Sequence, residues 1–425
     1  MNADSPTNPP TEGGCHAQWG RGPAGHGTLA ILLGTLLLLV GLRIWLTARI
    51  AFAPGQETES ATLVFLRTLD AYTGWAALLI LSLVGCHAQR GRGPGRHASR
   101  VRNALIPLSL LAGILALTAS IFLSDVVTRS QLEIALAFWL ALCGLFLIIR
   151  QLVALAAHFS TGLNIEQLWR LIAAQWILVW LAAEIFLRIK LRGEGVTANE
   201  SARNILFLLP TACVLPNILM ALGIRWWIAL RPATPPQPAP HVRAWLLAML
   251  LLNLGAVLLM IPLPWLGIPG AALMIAATLL YLAGFRRPGL WTTLAWTSFI
   301  LALLLLAGQR LMQLHDTPIR NVYSAAWRYL LTDGLLLTWL LSRGLHHLRT
   351  HLAPNLQMRT LTRLIAFLLI LGILTTLLTL LAAISHSDAL PYLLYGTIPE
   401  AAALLLATAV TLRTTHLLRH SKIEN

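Results

Sequence analysis

The strongest constraint on this chain is the length of its uninterrupted apolar runs. "TLAILLGTLLLLVGLRIWL" from Thr28, "RAWLLAMLLLNLGAVLLMI" from Arg243 and "LTRLIAFLLILGILTTLLTLL" from Leu361 are representative. Each is as long as the roughly 20 residues a helix needs to cross ~30 Å of hydrocarbon. Transmembrane strands would show alternating segments of about ten residues, and these runs do not alternate. Charged residues make up only 11% of the 425, against about a quarter in a soluble domain. The fold class read from the sequence is all-α: a polytopic transmembrane helical bundle.

The runs parse into about twelve spans: 28–47, 63–85, 104–124, 133–157, 171–189, 205–224, 244–262, 268–285, 290–308, 324–342, 363–384 and 391–412. Residues 1–27 form a cytoplasmic N-terminal tail, 28–412 the transmembrane domain and 413–425 a cytoplasmic C-terminal tail. The sidedness follows from Lys and Arg, which gather on the cytoplasmic side of short loops. With both termini inside, 20 fall inside, eight outside and three within spans. That distribution reads as a multi-pass protein of the cell inner membrane. Arg43 and Arg49 follow the first apolar run, which reads as a retained helix and not a cleaved signal.

The loops are short, so no extramembrane catalytic domain is expected and the chain does not read as an enzyme. The net charge of +15 has no soluble domain to carry it, which argues against nucleic acid as a partner. The expected surroundings are the lipid bilayer, with a small ion or solute between the helices. The Pro-rich "RPATPPQPAPH" at 231–241 reads as a stiff cytoplasmic connector between six helices and six.

"CHAQWGRGPAGH" at Cys15 is echoed by "CHAQRGRGPGRH" at Cys86. Cys15, His16, Cys86 and His87 are the residues a zinc or copper ion would use. Adjacent Cys and His lack chelate spacing, however, and Gly, Pro and Arg between them give no rigid platform. A basic stretch lying against an anionic leaflet is the simpler reading.

Ionisable groups inside the spans carry most of the functional signal, because each is costly in hydrocarbon. Asp70, Glu184, Asp333 and Glu400 are the four acids. At 1.5 Å per residue, Asp70 and Glu184 lie roughly 8–10 Å from the outer ends of their spans, Asp333 and Glu400 about 14 Å. Their shared side predicts an outward-facing polar pocket. Arg67 precedes Asp70 by three residues, and Arg328 and Tyr329 precede Asp333, with Tyr329 on its face at i, i+4. Arg67 and Arg328 are near enough to the interface to snorkel. Gly396 and Pro399 before Glu400, and Pro210, Pro216 and Asn217 in "LLPTACVLPN", are expected to break their helices and free backbone groups. Gly27, Gly34 and Gly41, at seven-residue spacing, suggest a close helix approach, and Trp45, Trp169, Trp226, Trp227, Trp245, Trp265 and Trp291 read as interfacial anchors.

Twelve spans, a Pro-containing sixth helix, a Pro-rich connector and a polar tenth helix resemble the NnrS family, bacterial inner-membrane proteins linked to nitrosative stress. The family's second helix carries a His-Glu pair with Gly four residues after the Glu. "LDAYTG" offers Asp70 and Gly74, with Leu69 in the His position. Its tenth helix carries His with Gly five residues on, and "YLLTDG" offers Tyr329 and Gly334. The resemblance implies a similar fold. It implies haem or copper only if Tyr329 replaces a histidine as a ligand. Two other readings compete: a proton- or cation-coupled secondary transporter, and a non-catalytic assembly or scaffold subunit.

Overall fold

The structure is a computed structural model. It describes residues 125–156, 164–190, 200–229, 241–285 except 262, 290–312, 317–341 except 340, 356–382 and 393–420, with scattered positions in 34–48 and 108–116. No strand occurs among the described residues. In chain order the helices are α1 (Val126–Ala156), α2 (Ile165–Lys190), α3 (Glu200–Leu208), α4 (Leu215–Ala229), α5 (His241–Met260), α6 (Pro264–Ala283), α7 (Leu290–Leu311), α8 (Thr317–Tyr329), α9 (Leu356–Ala382) and α10 (Leu393–His420). A π-helical segment, π1 (Leu209–Val214), joins α3 to α4, and a second, π2 (Leu330–Leu337), continues α8. Eight of the described helices are long and apolar enough to cross a membrane. They fall on eight of the last nine spans read from the sequence. The exception is α8 with π2, whose N-terminal half carries Arg320 and Arg328.

Local chemistry sets the helix starts. Asp125 accepts from the Thr128 backbone N–H at 2.7 Å and from the Thr128 hydroxyl, so α1 begins seven residues earlier than its hydropathy suggests. At α2, Asn164 Oδ1 accepts from the Gln167 N–H and Gln167 Oε1 from the Asn164 N–H, both at 2.9 Å. This reciprocal pair satisfies two donors that a helix start otherwise leaves open. Pro264 opens α6 at a position where a missing N–H costs nothing.

Burial ranks the helices by depth in the bundle. The span Asn204–Ile224 is 94% buried, whereas the other seven candidate spans are 28–39% buried. Every residue described from Leu330 to Leu341 is buried as well. The two π-containing rods therefore form the centre and touch each other there. The surrounding helices turn Leu, Ile, Val and Phe side chains outward, among them Leu250, Phe367 and Leu405. Lipid is as apolar as leucine, so packing and polar contacts must hold such helices together.

Among the described residues, close packing comes from glycines in the later helices. A Cβ at Gly255 would lie 2.6 Å from the Gly270 carbonyl oxygen, and one at Gly270 2.8 Å from that of Gly255. The backbones of α5 and α6 thus meet directly. Gly372 and Gly396 play the same part between α9 and α10. At Gly34 and Gly41, by contrast, no described atom comes within 4 Å. Two of the expected interfacial tryptophans are also misplaced: Trp169 and Trp245 are 0% and 1% exposed and belong to the protein core. Trp245 fits against Gly284, where a Cβ would be 2.2 Å from its indole nitrogen.

The expected breaks take another form. Proline at 216 cannot donate to Ala212, and the chain widens its winding in place of breaking: the Leu215 N–H reaches back five residues to the Pro210 carbonyl. The Asn217 side chain donates to the Cys213 carbonyl at 2.7 Å. Around Gly396 and Pro399, α10 runs unbroken. The helix π2 carries no proline and was not foreseen.

Candidate functional site

Arg328 and Tyr329 end α8 where π2 begins, and each reaches a different neighbour. The Arg328 guanidinium donates to Asn204 Oδ1 on α3. Its central carbon sits 5.0 Å from the Phe207 ring and 5.2 Å from the Trp327 ring. Those rings meet edge-on at 5.5 Å. Trp327 donates its indole N–H to Gln309 Oε1 on α7 at 2.8 Å, and Gln309 Nε2 donates to Ser324 Oγ at 3.1 Å. Arg328 is 0% exposed, so its charge does not snorkel. It is held instead by an amide and two π faces, contacts worth about 2 kcal/mol when desolvated.

The Tyr329 hydroxyl donates to Glu400 Oε1 on α10, and both residues are completely buried. The π2 winding begins between Tyr329 and Asp333, and the Tyr329 hydroxyl is directed to Glu400 on α10. Asp333 lies in π2 at 3% exposure, with its backbone carbonyl accepting from the Thr338 hydroxyl at 3.4 Å. Asp333 lies 16 residues along its helix from Thr317, and Glu400 lies seven residues into α10. Glu400 gains its position from Gly372, where a Cβ would lie 2.6 Å from Glu400 Cγ.

Glu184 belongs to a separate cluster. It accepts from Arg188 Nε at 2.6 Å and from the Trp180 indole at 3.2 Å, and Arg188 reaches Glu133 on α1 at 3.1 Å. One guanidinium thus ties α1 to α2 through two carboxylates. On the far side, Ala202 and Leu206 of α3 pack against Ala183 and Leu187 of α2.

A third polar group sits against π1. Asn217 and Asn253 exchange amide hydrogen bonds at 3.2 Å, and Trp176 donates to Asn253 Oδ1 at 2.6 Å. The node locks α2, α4 and α5 around the widened turn.

Of the residues expected to form one pocket, the structure joins Tyr329 to Glu400, directs the neighbouring Arg328 to Asn204, buries Asp333 in π2 and sets Glu184 in its own cluster. Asp70, Arg67, Cys15, His16, Cys86 and His87 lie outside the described residues. Asn204, Gln309 and Gly372 were missed. Polar letters within an apolar run were the available signal for the first two, while Gly372 has meaning only once its neighbour is known. Tyr329 is a poor fit as a haem ligand, since its oxygen is committed to Glu400 inside close packing. Among the described residues, no three His, Cys, Asp or Glu side chains gather as a metal-ligand set. Comparison with known protein families, with curated proteins and with solved structures gives no match for this chain.

Proposed function

We propose that this chain is a twelve-span inner-membrane protein of NnrS-like architecture, with both termini cytoplasmic, whose intramembrane centre binds a proton or small cation on Glu400 from the outer side. The observation that carries the reading is the hydrogen bond from the Tyr329 hydroxyl to the fully buried Glu400 carboxylate. A carboxyl within a span is retained at a cost, and a phenol partner responds directly to whether the carboxyl holds a proton. Arg328, next in the chain, offers a fixed positive charge that compensates the ionised form. In this reading Asp333 lies further along the same route.

A second reading, secondary transport, is favoured by the two π-helical segments in contact at the core. Single π turns occur mostly within longer α-helices and often at functional sites. Two in contact provide a place where spans can change register.

Infrared difference spectra between two pH values, taken on lipid-reconstituted protein, test the first reading. A carboxyl band that appears on acidification and disappears in Glu400→Gln is expected. Identical difference spectra for wild type and Glu400→Gln would remove Glu400 from any proton-handling role. For the transport reading, replacing Asp333 and Glu400 by Asn and Gln should abolish gradient-driven uptake, and unchanged uptake would exclude coupling through them.

A further inference from the structure

Thr376 breaks a pattern that its neighbours keep. Buried hydroxyls in these helices turn back to the carbonyl four residues earlier: Thr278 to Met274, Thr408 to Leu404 and Thr411 to Ala407. Ser298 and Thr211 do the same. Thr376 is 0% exposed, and its hydroxyl has no hydrogen-bond partner among the described residues. It is turned instead toward α10, where a Cβ on Gly396 would lie 2.0 Å from Thr376 Oγ1. A buried hydroxyl left unsatisfied costs more than an apolar group in its place.

The register of α9 on α10 shows what lies beyond it. Gly372 faces Glu400 and Thr376 faces Gly396, so the helices run antiparallel and the hydroxyl sits one turn outward of the carboxylate. Side chains on a helix lean toward its N-terminus, which for α10 is the outer end in this topology. Glu400 therefore leans toward the level of Thr376, and at Gly396 no side chain stands between them.

We propose that Thr376 is the outer docking partner of Glu400: the carboxyl alternates between the Tyr329 hydroxyl and the Thr376 hydroxyl, and exchanges its proton with outer water in the second position. This rests on the proton-handling reading of Glu400. In the outward position the carboxylate accepts from the Thr376 hydroxyl and takes a proton from hydronium, leaving water. The carboxylic acid then returns to Tyr329. The other ionisable groups on the elements packed here are Arg320, Tyr323, Arg328, Tyr329 and Asp333 on α8 and π2, and Tyr395, Arg413, His416, Arg419 and His420 on α10. On α9 only Arg359 and Arg363 ionise, and both lie more than two turns toward the other end.

The test follows the Glu400 carboxyl band after a rapid pH jump, in reconstituted wild type, Thr376→Val and Thr376→Ser. Valine keeps the volume and removes the hydroxyl; serine keeps the hydroxyl. The expected result is band formation slowed about tenfold or more in Thr376→Val, the scale on which a positioned proton partner acts, with Thr376→Ser close to wild type. Thermal stability of Thr376→Val should be unchanged or higher, because no bond is lost. An unslowed band in Thr376→Val overturns this proposal and leaves the proton-handling reading standing. Absence of any pH-dependent Glu400 band in wild type overturns both.

Discussion

At the residue scale, the cost of each buried charge depends on the group that meets it. Arg188 serves Glu184 and Glu133 together, and all three side chains are at most 14% exposed. Removing the guanidinium strands two carboxylates. Arg188→Ala should therefore destabilise the protein by about 3 kcal/mol, read as a lower unfolding temperature in detergent. Adding Glu184→Gln and Glu133→Gln to Arg188→Ala should restore much of the loss. If the triple variant were no more stable than Arg188→Ala, the ion cluster would not be the cause. Gly255 makes a sharper steric case. A Cβ there would meet backbone atoms, Gly270 O at 2.6 Å and Met274 N at 3.0 Å, which cannot rotate away. Gly255→Ala should cost about 1–3 kcal/mol by overpacking, whereas Gly308→Ala, with nothing nearer than 4.0 Å, should be nearly silent in the same melts.

At the scale of elements, helix ends and widened turns respond to different perturbations. Asn164→Ala removes half of the reciprocal cap on α2 and should cost about 1 kcal/mol, seen as faster amide exchange in the first turn. Asp125 gives α1 an acid-sensitive start. The hydrogen bond from the Thr128 hydroxyl, then that from its backbone N–H, hold the Asp125 carboxyl below its ordinary value of 3.8. A lowered folded value means that its contribution is complete above 3.8 and is lost as the pH falls through the lower folded value. Amide exchange at the start of α1 should accelerate below that pH in wild type. In Asp125→Ala it should be fast throughout, and an unchanged acid response would dismiss the cap. At π1, the Asn217–Asn253 pair should behave as one unit. Asn217→Leu should cost about 1 kcal/mol, within the range for polar contacts in membranes. The double replacement with Asn253→Leu should cost less than the sum of the singles. Additive losses would show that the amides act separately.

At the scale of the whole molecule, the bundle has its two interrupted rods at the centre and lipid-facing helices around them. Its proposed sidedness is open to labelling with a membrane-impermeant thiol reagent. A cysteine at Thr197 should react from outside intact cells, whereas one at Gln237 should react only after permeabilisation. The reverse pattern would invert the bundle and place Glu400 on the inner side. Eight of the expected spans fall on described helices long and apolar enough to cross a membrane. This is because a hydrocarbon solvent leaves the backbone no choice but to satisfy its own hydrogen bonds.

The amino-acid letters were sufficient for the solvent, the helical class and the candidate ionisable groups, since each follows from how much apolar length and charge a segment holds. Pairing was beyond them. Tyr329 meets Glu400 across 71 residues of chain, and Arg328 finds Asn204 and two rings on α3 and α8. Such meetings depend on which helix faces touch. Those faces are chosen by backbone approach at Gly255, Gly270, Gly372 and Gly396, and by the wider winding at π1 and π2. Membrane helices have little hydropathy contrast between lipid and protein faces. Only tertiary packing could decide which side of each was turned inward, and with it which polar groups became neighbours.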